Sequence, residues 1–162
     1  MKISFATSPP EEAALFNPAF VGLLIAVSAR DYEATCKTPM PFALAFLIPP
    51  MALDAETRDT LPGSVNALLS PWLLAHPLIQ AGFAERATAM VPLVREGLRY
   101  AMRSGSLRLT GDALHSGIPN RVKTDLGTQD ARDCAKAAAF AARWFARTGD
   151  IATVFALLGV RP

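Results

Sequence analysis

The chain has 162 residues, of which 51% are apolar, 8% aromatic and only 19% charged. This composition excludes disorder, and the length gives one domain enough apolar surface to fold without disulfides or a structural metal. With 16 basic and 14 acidic residues the net charge is only +2, too small for a polybasic nucleic-acid binder.

Residues 1–12 read as an extended arm ending in Pro9-Pro10 and Glu11-Glu12. Asn17-Pro18 then signals a helix start: a capping side chain, then a proline where a missing N–H costs nothing. An apolar stripe of Phe20, Leu23, Leu24 and Val27 carries that helix to about Cys36, and Pro39 and Pro41 end it. The uncharged run 42–48 is expected to be buried, as either a short helix or a strand, and Pro49-Pro50 to leave it in extended form.

After a polar turn around Asp54, Glu56, Arg58 and Asp59, Val65, Leu68, Leu69 and Trp72 mark a helix from Ser64 to about Leu74. His76 before Pro77 reads as a helix-end residue. Phe83, Ala87, Met90, Val94, Leu98 and Ala101 step by fours and threes through a core-facing helix from Gln80 to Arg103. Pro92 is expected to kink it or divide it in two. Alternation in residues 106–110, a Gly111-Asp112 turn and residues 113–115 predict a β-hairpin. Residues 64–116 thus have the helix, helix, hairpin order of a winged helix. The alanine-rich segment from Thr128 to Arg147 predicts a helix closed by a left-handed Gly149, and Asp150 caps a second helix that Gly159 closes, forming a C-terminal pair over 128–158. The fold class expected is mainly α, one compact helical domain over 1–162 with a winged-helix-like helix-helix-β-hairpin unit.

Several chemistries lack their starting residues. No phosphate-binding glycine loop, dinucleotide fingerprint or H-E-x-x-H occurs. Cys36 and Cys134 have no nearby cysteine partner and the only histidines are His76 and His115, so no zinc set forms and two reduced, buried thiols are expected, as in a cytoplasmic protein. Asp112, His115 and Ser116 are adjacent in the hairpin rather than arranged as a triad, so no enzyme and no cofactor is expected. Glu11-Glu12, Asp130 and Asp133 read as helix-start charges. The apolar stretch 20–29 follows acids rather than a basic cluster, the wrong polarity for export. The charge-free run 60–84 is broken by Pro62, Pro71 and Pro77, so no membrane span is expected.

Charge is uneven along the chain. Residues 92–123 carry Arg95, Arg99, Arg103, Arg108, Arg121 and Lys123 against Glu96 and Asp112. Arg95, Arg99 and Arg103 share a helix face and Arg108 lies on the next strand, which makes these four the candidate DNA-facing residues. The stretch 92–103 around the helical three has no Asn or Gln for base readout, so a DNA contact there would be non-specific. A mean hydropathy of +0.26 leaves apolar groups short of polar cover, which a permanent protein interface would absorb. The candidate interface is C-terminal: Phe140, Arg143, Trp144, Phe145, Phe155, Arg161 and Pro162.

The block from Lys136-Ala137-Ala138-Ala139-Phe140 through Arg143-Trp144-Phe145 to Leu158-Gly159-Val160-Arg161-Pro162 resembles the C-terminal signature of the middle component of three-component ABC-ATPase systems. Phe16-Asn17-Pro18-Ala19-Phe20 and Met40-Pro41-Phe42-Ala43-Leu44-Ala45-Phe46 resemble two earlier blocks of that family, in the same order. The resemblance implies a bacterial conflict system, Lamassu-type antiviral and antiplasmid defence being the best-known kind. It implies a non-catalytic accessory subunit that joins a coiled-coil, SMC-like ABC ATPase to an effector such as a nuclease. It carries over no catalytic or ligand-binding residue. The alternative from the residues alone is a winged-helix DNA-binding regulator acting through the arginine face.

Overall fold

The structure, a computed structural model, describes residues 16–120 and 126–161. The expected arm, its acidic pair and Pro162 lie outside the described residues. The architecture is mainly helical with a small antiparallel sheet.

Helix α1 spans Pro18–Cys36. Asn17 Oδ1 accepts the Ala19 N–H at 2.8 Å, and Lys37 closes the helix at φ 60° with its N–H on the Glu33 carbonyl. The expected stripe is wider here: Val21 to Ala29 is buried except for half-buried Leu23, including Ser28, whose hydroxyl donates to the Leu24 carbonyl at 2.7 Å. The reason is position. α1 lies between the two long helices α5 (Pro77–Arg103) and α6 (Gln129–Thr148) and packs on both. It meets α5 glycine to glycine, since a Cβ on Gly22 would stand 2.5 Å from the Gly97 oxygen and one on Gly97 would stand 3.0 Å from the Gly22 nitrogen.

Strand β1 (Met40–Pro41) precedes a 3₁₀ helix over Phe42–Phe46, so the run 42–48 takes the short-helix alternative, and its last residue, Ile48, opens the next helix. Pro49 and Pro50 do not leave in extended form. They occupy the first turn of α2 (Ile48–Leu53), where helical N–H groups have no intrahelical acceptor and the fixed proline φ is already correct. Asp54 then caps α3 (Ala55–Asp59): its Oδ2 accepts the Thr57 N–H at 3.0 Å and the Thr57 hydroxyl at 2.5 Å.

The helix expected from Ser64 begins only at Leu69, as α4 (Leu69–Ala75). Residues 64–67 make a turn instead, with Ala67 N–H on the Ser64 carbonyl. Pro71 explains the late start, because it has no N–H for the carbonyl of Ala67; the Trp144 indole N–H takes that acceptor at 2.6 Å. Pro92 does not divide α5, which runs unbroken through it.

The hairpin forms as expected, β2 (Leu107–Thr110) against β3 (Ala113–Ser116), with Arg108 opposite His115. β1 adds as a third strand in the order β1-β3-β2, with Met40 opposite Leu114. Gly149, after α6, does not take the left-handed closing form. Its φ of 136° and ψ of −151° put it in the extended mirror-image region open to glycine. Asp150 then caps α7 (Ile151–Leu158), and Gly159 closes it at φ 70°. All these elements share one core, in which Trp144, Phe83 and Phe145 are the largest fully buried side chains.

Candidate functional site

Interaction surfaces are found where a protein leaves apolar or unpaired charged groups in water that its own fold could have covered. Three such places stand out among the described residues.

The first is a set of exposed leucines at the start of α4, at its end and at the start of α5. Leu68, Leu74 and Leu78 are 72%, 75% and 81% exposed. The opposite side of α4, made by Leu69, Trp72 and Leu73, is buried. The segment is held firmly from behind. Trp72 Nε1–H donates to the Thr60 carbonyl at 2.8 Å, and His76, its ring tilted against Trp72 at 4.9 Å, shares a 2.8 Å hydrogen bond through Nδ1 with the Trp72 carbonyl. Arg147 donates to Asn66 at 2.9 Å beside it. Sequence periodicity missed these leucines by assigning Leu68 to the same face as Leu69 and Trp72. The charge-free run 60–84 was the signal that could have found it.

The second is the arginine face. Arg95, Arg99, Arg103 and Arg108 are all exposed. Arg99 is engaged by Glu96, whereas Arg95, Arg103 and Arg108 have no ion pair within the described residues.

The third is a groove of about 310 Å³ between the 3₁₀ turn, the middle of α5 and the C-terminal segment. Phe42, Phe46, Val91 and Phe155 line it together with Arg95 and Arg161. It unites residues that the sequence placed in separate groups.

The C-terminal candidates divide. Trp144, Phe145 and Phe155 are buried in the chain's own core; Trp144 packs edge-on to Trp72 at 5.3 Å and lies 5.5 Å from Phe140. Phe140 and Arg143 are half-buried, Arg143 reaching Asp31 at 3.4 Å, and Arg161 is exposed.

The hairpin groups do not assemble into a catalytic set. His115 Nδ1 lies 3.8 Å from Glu33 Oε1, the Ser116 hydroxyl accepts the Ile118 N–H, and the Asp112 carbonyl accepts the Phe42 N–H. Both cysteines are free. Cys36 is half-buried, while burial pushes the Cys134 thiol up to about 11 against the opposing pull of Arg58, which donates to its sulfur at 3.4 Å. Arg58 also holds Asp130 at 2.6 Å, so that carboxylate joins α6 to α3 as well as facing the helix start. Among the described residues no three metal-ligating side chains converge, no buried side-chain N or O lacks a hydrogen bond, and no helix is long and apolar enough to cross a membrane.

Among the described residues every buried side-chain N and O is hydrogen-bonded, and the surface above carries exposed leucines and arginines. Residues 6–162 match the family described as ABC-three component (ABC-3C) system Middle Component 3, and the chain belongs to that family. No curated protein and no solved structure matches it.

Proposed function

We propose that the protein is the non-catalytic middle subunit of a cytoplasmic antiviral or antiplasmid defence complex of the Lamassu kind. In this reading it links an SMC-like ABC ATPase to an effector, a nuclease in the simplest case, and helps control it. Family membership supports an accessory role. The observation that carries the physical reading is the exposure of Leu68, Leu74 and Leu78: three leucines held in water on a segment with no charged residue of its own suit a permanent apolar interface with the ATPase.

The test is copurification with the ABC ATPase of its own system. Changing Leu68, Leu74 and Leu78 together to serine should abolish copurification and defence while leaving the helical circular-dichroism signal intact, because these side chains contribute little to the core. A triple variant that retains the ATPase and still protects cells overturns the reading.

A second reading, direct DNA contact within the complex or as a winged-helix-like regulator, is favoured by exposed Arg103 and Arg108, which have no ion pair within the described residues. Arg103→Glu/Arg108→Glu should then weaken DNA binding in a salt-dependent way without disturbing assembly. Equal affinity at every salt concentration assigns these arginines to an ordinary solvated surface.

A further inference from the structure

The groove between the 3₁₀ turn, α5 and the C-terminal segment combines an apolar interior with cationic edges. Ala87 and Phe155 are buried, while Phe42, Phe46, Val91 and Val160 are half-buried. Phe42 and Phe46 meet edge to face at 5.5 Å, a fixed aromatic wall. Polar groups are scarce. The Thr88 hydroxyl already donates to the Ala84 carbonyl at 2.8 Å, leaving the guanidinium groups of Arg95 and Arg161 as the principal free polar side chains. Both are exposed, and neither has a carboxylate partner within the described residues.

An apolar groove with two unpaired guanidinium groups complements a segment that offers apolar side chains and a carboxylate together. We infer that this groove binds a short linear segment of a partner protein in which aromatic or aliphatic residues are flanked by aspartate or glutamate. Phenyl and aliphatic side chains enter among Phe42, Phe46 and Val91, and the acids meet Arg95 and Arg161. A nucleic-acid strand fits less well. Two cations neutralise few phosphates, and the lining offers no Asn or Gln to a base. This contact is chemically distinct from the exposed leucines at 68, 74 and 78 and is tested independently of them.

The test is selection of a random dodecapeptide library displayed on phage against the immobilised full-length chain. Selected peptides should carry an acid within a few residues of an aromatic or aliphatic pair. Synthetic copies, measured by fluorescence anisotropy, should bind Arg95→Glu/Arg161→Glu about tenfold more weakly or worse, with the loss shrinking at high salt. Val91→Trp, which fills the groove and keeps both charges, should also weaken them, whereas Arg108→Glu should not. Circular dichroism verifies that each variant remains folded. Failure to select any peptide, peptides without acidic enrichment, or equal binding to the wild type and both groove variants overturns the inference. So does a single-stranded oligonucleotide that binds the groove when the peptides do not.

Discussion

The Ala67 carbonyl shows how one residue can decide both a boundary and a tertiary contact. Pro71 cannot donate to it, so the helix starts late and the Trp144 indole occupies the acceptor. Trp144→Phe keeps an aromatic ring but removes the pyrrole half of the indole and leaves this acceptor without its donor, and should cost at least about 1–3 kcal/mol in urea denaturation. At the helix crossing, Gly22→Ala forces a methyl group into the Gly97 carbonyl, a backbone atom that cannot rotate away, and should destabilise by about 1–3 kcal/mol. Asp54 makes stability depend on pH. Burial pushes its carboxyl up, but hydrogen bonds from Thr57 and the charges of Arg86 and Arg58 together outweigh burial and hold it below its ordinary value. A depressed native value means stabilisation that is present at neutral pH and lost as pH falls through it. Asp54→Asn retains a capping side chain without the charge, so its deficit in melting temperature should be largest at pH 7 and shrink below about pH 4. Cys134, raised and buried, should resist iodoacetamide until the protein unfolds, whereas half-buried Cys36 reacts in the native state.

At the level of elements, the sequence was legible where local chemistry and burial agree. Asn17-Pro18, Asp150 and Gly159 marked true helix ends, and Phe83, Met90 and Leu98 reported the buried face of α5. Prolines misled because their effect depends on place along a helix. Pro49 and Pro50 are tolerated in a first turn, while Pro92 is carried by the contacts on either side of it: Met90 and Val94 are buried, and Pro92 itself faces solvent. The segment is kept helical by burial despite a lost hydrogen bond. Pro92→Ala should therefore raise the melting temperature by restoring a donor for the Thr88 carbonyl. β1 had no sequence signature, because two residues become a strand only when β3 is beside them.

For the molecule as a whole, the candidate surfaces were less legible than the fold. The groove is assembled from residues 42–46, 87–95 and 155–161, and no local pattern connects those three stretches. The arginine spacing was readable, but only the structure separates Arg99, held by Glu96, from its neighbours. Trp144 and Phe145 carried the composition of an interface, yet the crossing helices enclose them. That enclosure has an optical consequence. The chain's two tryptophans, Trp72 and Trp144, are both buried and stand 5.3 Å apart at an interplanar angle of 83°. Two indoles at that separation share excitation, so the near-ultraviolet circular dichroism should contain a coupled signal that either Trp→Phe substitution removes entirely rather than halves. Because Trp72 shares the short helix α4 with exposed Leu74, the same pair is a native chromophore for docking: a partner that seats on Leu74 can be followed by light, with no label attached.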